Sequence, residues 1–146
     1  MSVVKFSLVR AEAIPPRPDP KHAGVTLHAC FGLNDFAPQL YKRPPIAGAE
    51  RTLALASGQS LNIPTGIAVE LNERHFGLIV ERPDATPHTD LVVEPAIVDP
   101  GRRTELYVRV WFAPPYKDSR STYYLNTDDP LARLVVVQHA TEWVQA

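Results

Sequence analysis

Short runs in which apolar and polar residues alternate recur along the chain, separated by turn-forming residues. The clearest is ELYVRVWF at 105–112, where Leu106, Val108, Val110 and Phe112 share one face and Tyr107, Arg109 and Trp111 the other. A period of two predicts a strand with one buried side. Comparable runs at 2–10, 25–33, 52–56, 67–71, 75–81, 90–98 and 121–126 predict further strands between Gly, Pro and Asn signals. The last run, LARLVVVQHA at 131–140, also places Leu131, Leu134, Val135 and Gln138 at helical spacing, but its three successive valines favour a strand. No stretch carries a long amphipathic helical pattern capped at both ends. The pattern predicts an all-β fold, a sandwich or closed barrel of roughly eight to eleven short strands.

Proline sharpens this picture. The 15 prolines in 146 residues are about twice the usual share, and proline interrupts helices and central strands alike. IPPRPDPKHAG at 14–24 and NDFAPQLYKRPPIAGAE at 34–50 are therefore expected to be extended connections. A chain of this length suits one domain, 1–146, with a substantial core.

Charge and cysteine narrow the chemistry. A formal net charge of -1 argues against a broad nucleic-acid surface. No run is long and apolar enough to span a membrane, and MSVVKFSLVR does not have the make-up of a signal peptide, so a cytoplasmic, soluble protein is expected. The lone cysteine, Cys30, is expected to be a buried neutral thiol. His22, His28, His75, His88 and His139 are scattered singly and read as surface or packed side chains, so no metal site is expected. Gly-rich phosphate loops and nucleophile elbows are absent from the sequence.

Four segments in order carry a resemblance. AGVTLHA at 23–29 is similar to A-G-x-D-L-x-A, and IPTGIAVELNERHFGLIVERPD at 63–84 to the stretch leading into P-R-S-G. AIVDPGRRTELYVRVWF at 96–112 is similar to a third motif in which G-V-I-D precedes a tight turn and a strand. DDPLARLVVVQ at 128–138 is similar to G-D-R-I-A-Q-L. Together they resemble the motifs of the dUTPase superfamily, the trimeric dUTP pyrophosphatases and dCTP deaminases. The resemblance implies a jelly-roll or β-clip barrel, a homotrimer, ligand sites between subunits, and magnesium on the triphosphate if the chain is catalytic.

Residue by residue, the resemblance assigns Asp99 the place of the aspartate that orients the attacking water as a general base. Arg82 keeps the second-motif arginine, followed by Pro83 and Asp84 where the family has serine and glycine. Thr26 stands for the first-motif aspartate, Arg102 for the aromatic residue that packs on deoxyribose, Thr104 for a glycine, and Arg133 for the phosphate-binding glutamine. The Gly-rich fifth motif has no counterpart in HATEWVQA. In the deaminase branch, the catalytic glutamate falls at Arg109, which cannot serve as a base.

Three functions follow as expectations. The first is a catalytically degenerate member, of viral or phage origin, that binds a nucleotide or signalling nucleotide through Arg82, Arg102, Arg103 and Arg133, since arginine suits phosphate oxygens. The second is a protein-interaction or anti-defence module using the proline-rich loops. The third is a divergent pyrophosphatase using Asp99, with no cofactor other than magnesium. Against all three stands the plain reading of the arginines as solvated rim charge.

Overall fold

The computed structural model describes residues 3–18, 20–42, 51–82, 91–113, 122–140 and 142–146. Eleven strands occur among them: β1 Lys5–Leu8, β2 Val25–His28, β3 Thr52–Ala56, β4 Ser60–Pro64, β5 Ile67–Glu70, β6 His75–Val80, β7 Leu91–Val93, β8 Ala96–Val98, β9 Tyr107–Phe112, β10 Thr122–Asn126 and β11 Pro130–Gln138. A 3-10 turn at Pro38–Leu40 accompanies them. The all-β expectation holds. The final run forms a strand, as its valines favour.

All named strand pairings are antiparallel, in sheets ordered β1-β5, β10-β3, β2-β11-β6-β8 and β4-β9-β7. One cluster of apolar side chains joins these sheets, with Leu27, Leu53, Leu55, Ile63, Val108 and Val110 each almost wholly enclosed. Burying chains of this size stabilises by about 1.5–3 kcal/mol each. β9 follows the expected alternation: Val108, Val110 and Phe112 are buried, and Tyr107 and Arg109 face out. Cys30 lies in the core at 4% exposure, where burial pushes its thiol upward in pKa.

The structure departs from the sequence pattern in two places. β4, SLNIP, has only one strongly apolar alternation and ends on proline, yet it pairs with β9 from Ser60↔Trp111 to Pro64↔Tyr107. Tertiary pairing overrides its weak propensity. The segment expected as one strand at 90–98 is two: Glu94-Pro95 breaks it, sending β7 to β9 and β8 to β6. Asp90 and the second half of the second proline-rich connection, 43–50, lie outside the described residues, as does Asp19 in the first.

β1 differs from every other strand in having all four residues exposed. It pairs with β5 along one edge only, and Val3, Val4, Phe6, Leu8 and Val9 all present apolar surface.

The sheet carrying the candidate site is held at unusually close quarters. Gly24 has φ +81°, and a Cβ there would meet the Leu134 carbonyl oxygen at 2.2 Å. Backbone and backbone occupy the space that any side chain needs. Gly24→Ala is expected to lower unfolding stability by at least about 2 kcal/mol, read as a drop in the denaturant midpoint at unchanged slope.

Candidate functional site

The turn after β8 holds the first group of candidate residues. The Arg102 N–H donates to the Asp99 carbonyl at 3.3 Å, Gly101 takes φ +82°, and the Gly101 N–H donates to the Leu71 carbonyl at 3.4 Å. The turn is thereby stapled to the end of β5. Asp99 is exposed, and its carboxylate makes no hydrogen bond to the described residues. The Arg102 Nε donates to the Thr104 Oγ1 at 3.1 Å, within the turn. Arg103 instead ion-pairs with Glu70 at 3.0 Å, with both side chains at least half exposed, so that contact is screened and weak.

The far leg of the turn is fixed by Glu105. Its carboxylate accepts from the Arg10 Nε at 2.7 Å, the Arg10 Nη2 at 3.2 Å and the Gly66 N–H at 2.7 Å. Arg10 also donates to the Asp35 carboxylate at 2.8 Å, and that oxygen accepts the Gly32 N–H at 2.6 Å. Hydrogen bonds from Glu105, then Asp35, hold the Arg10 guanidinium still more firmly protonated than usual. Burial alone would raise Asp35, but the bonds from Arg10 and Gly32 outweigh it and keep the carboxyl below its ordinary value. Three segments distant in sequence thus meet at one bidentate arginine.

The second group lies at the opposite end of β6. Arg133 sits on β11 directly between Thr26 of β2 and Val80 of β6. It is buried, at 8% exposure, and forms no hydrogen bond or ion pair with the described residues. Two residues along from Val80 is Arg82, which is electrostatically coupled to both His28 and Asp129. Asp128 turns the chain into β11 with φ +73°, the one positive φ outside glycine among the described residues. Burial raises the Asp129 pKa despite the Asn126 N–H that it accepts at 2.8 Å.

Within one chain these groups are far apart. Ile79 pairs with Ala96 and Gly77 with Val98, which brings Asp99 level with Phe76, six residues from Arg82. At about 3.3 Å per residue, that is roughly 20 Å. The sequence grouped Asp99, Arg82, Arg102, Arg103 and Arg133; one copy brings together Asp99, Arg102 and Arg103 at one end, and Arg82 and Arg133 at the other.

Comparison with known proteins shows what the chain is similar to. No protein-family profile matches the chain. The deoxyuridine 5'-triphosphate nucleotidohydrolase of Escherichia phage T5 is 28% identical over 138 residues, covering 94% of this chain and 81% of that protein. A variant dUTPase from phage phi11 of S. aureus superposes with a TM-score of 0.73 at 20% identity, over 99% of this chain and 96% of that one. A variant dUTPase of Staphylococcus bacteriophage 80alpha, solved with dUpNHpp, gives 0.72 at 18% identity, over 100% and 88%. The chain shares the dUTPase fold and is similar in sequence to a phage dUTPase.

Placed on the dUTPase motifs, the structure explains several of the departures. Asp128 occupies the glycine position of the fourth motif and keeps the left-handed backbone that glycine would take there. Arg109, at the deaminase glutamate position, is engaged on the outer face of β9 by Glu94 at 3.2 Å and Ser60 at 3.1 Å. Pro83, Asp84 and His88 lie outside the described residues. Among the described residues no group of three histidine, cysteine or carboxylate side chains could hold a metal ion. Thr26 supplies no carboxylate where the motif has aspartate, and Asp129 accepts the Asn126 N–H through one oxygen.

Sequence reasoning missed Arg10, Glu105 and His28. Glu105 was visible only as the polar start of a strand, and its partner stands 95 positions away. Glu105→Ala is expected to cost about 2 kcal/mol, because the Gly66 N–H and Arg10 lose an acceptor in a half-enclosed place; chemical denaturation measures it. The depressed Asp35 carboxyl contributes stability that is full above its unfolded pKa and is lost as pH falls through its lower folded value. Asp35→Asn should flatten that acid limb in a pH series of denaturation midpoints.

Proposed function

We propose that the chain binds a nucleotide in a cleft shared between copies of itself, as a homotrimer, and does not carry out the dUTPase reaction. The observation that carries this reading is the split of the candidate residues across roughly 20 Å of β6. The Asp99 turn of one copy and the Arg82–Arg133 end of another can complete one site, whereas a lone copy holds only half of it. Arg133 is largely enclosed, yet its guanidinium has no counter-ion among the described residues and none of its nitrogens is fully buried, so it is open to an oxyanion. Catalysis is disfavoured because Thr26, Pro83 and Arg102 replace motif residues that the reaction uses, and among the described residues the Asp99 carboxylate is supported by no hydrogen bond.

The relatives support a binding role. The 80alpha dUTPase was solved with dUpNHpp, and dUTPases of that phage are described as controlling transfer of virulence genes by a proto-oncogenic G protein-like mechanism. A protein of this fold can therefore act through its nucleotide-bound state. Phage origin, a regulatory output and the absence of a resident cofactor belong to the same reading.

Titration calorimetry with dUMP, dUTP and dUpNHpp, alongside a pyrophosphate-release assay with magnesium, tests it. Binding of dUpNHpp that weakens about tenfold or more in Arg133→Ala is expected, with no release of pyrophosphate. A flat response to all three nucleotides overturns the binding reading, and turnover that disappears in Asp99→Asn overturns the claim of lost catalysis.

A further inference from the structure

His28 is the residue at this site that no motif explains. It lies on β2 two positions from Thr26, so both side chains leave the same face of the strand. Thr26 is directly opposite Arg133, which makes His28 a diagonal neighbour of Arg133. Diagonal positions across an antiparallel pair are roughly 7 Å apart, within the reach of an arginine. Arg82 approaches from the β6 side and Asp128 from the turn before β11, and both act electrostatically on the imidazole.

The ring carries a second signal. His28 Nδ1 is enclosed and has no hydrogen-bond partner. A buried N–H without an acceptor is costly, so the proton of the neutral ring belongs on Nε2, which is not enclosed. Burial is the main reason that the ring favours its neutral form; Asp128 opposes the shift and Arg82 adds to it. The ring is therefore fixed as a one-sided hydrogen-bond donor, on the strand facing Arg133, whose guanidinium has no counter-ion among the described residues.

We propose that His28 is a ligand of the phosphoryl group held by Arg133, donating a hydrogen bond from Nε2–H as a neutral imidazole. This deepens the nucleotide-binding reading and rests on it. The site then consists of a fixed cation, Arg133, and two neutral donors on the facing strand, Thr26 and His28. Such a set recognises a phosphoryl oxygen by geometry, with one charge–charge contact and no need for a metal bridge. Asp128 and Asp129 nearby limit the net positive charge, so an anion is held by directed donors more than by field.

The test uses the full chain and dUpNHpp as the probe, with His28→Gln, His28→Asn and His28→Ala. A glutamine side-chain amide places its N–H₂ near Nε2, whereas asparagine reaches only as far as Nδ1. Affinity within about threefold of the parent is expected for Gln, and a loss of about tenfold for Asn and Ala. In the unsubstituted protein, nitrogen NMR of His28 should report the Nε2–H tautomer with and without dUpNHpp, and its Nε2 resonance should move on binding. Equal affinity in all three variants, or a resonance that does not move while dUpNHpp binds, overturns the role of His28 and leaves the nucleotide reading standing. Failure of dUpNHpp to bind the parent protein overturns both. The NMR arm needs no substitution, so misfolding of a variant does not protect the proposal.

Discussion

The order β2-β11-β6-β8 is the constraint on which the rest depends. β11 is hydrogen-bonded along both edges, and its nine residues are the longest strand described. Because β6 runs antiparallel to β11 and β8 antiparallel to β6, the turn that follows β8 opens at the end of the sheet opposite to Arg133. No side-chain rearrangement within a copy can close that gap. The sheet's hydrogen-bond register, set by core residues such as Leu27, Ile79, Ala132 and Leu134 on its inner face, decides what the outer face can assemble.

Each end is supported differently. The Asp99 turn is tied by charge: one arginine gathers Glu105 and Asp35, and through them the N-terminal segment, the loop after β2 and the entry to β9. These bonds join partly shielded groups and include the Gly66 backbone, which makes them sturdier than the exposed Arg103–Glu70 pair on the same turn. The Arg133 end is tied mainly by backbone, through strand pairing and the close approach at Gly24, with Asp129 accepting the Asn126 N–H. Among the described residues, Arg133 and His28 there keep unspent hydrogen-bonding capacity.

Much of the architecture could be read from alternation, since period-two runs such as 105–112 leave few other folds open. What escaped was non-local. β4 has too few apolar residues to announce itself and exists because β9 needs a neighbour, while the Glu94-Pro95 break becomes visible only when β7 and β8 part to different sheets. At the site, Asp99 and the arginines were identifiable by position in their motifs. Their separation was not, because sequence order says nothing of which end of a sheet a turn occupies. His28 was likewise unremarkable as a single histidine; its interest comes from an enclosed Nδ1 and from neighbours on two other segments.

The N-terminal strand has a bearing on how the chain reaches its working form. Among the described residues, β1 has a strand neighbour along one edge only, and apolar side chains flank its other edge on both surfaces. Edges of this kind recruit whatever strand arrives first, and Lys5 is the only charge between Val3 and Val9 to discourage a wrong one. An exposed edge of this kind makes partly folded copies prone to pair with one another, so correct pairing and aggregation compete during folding.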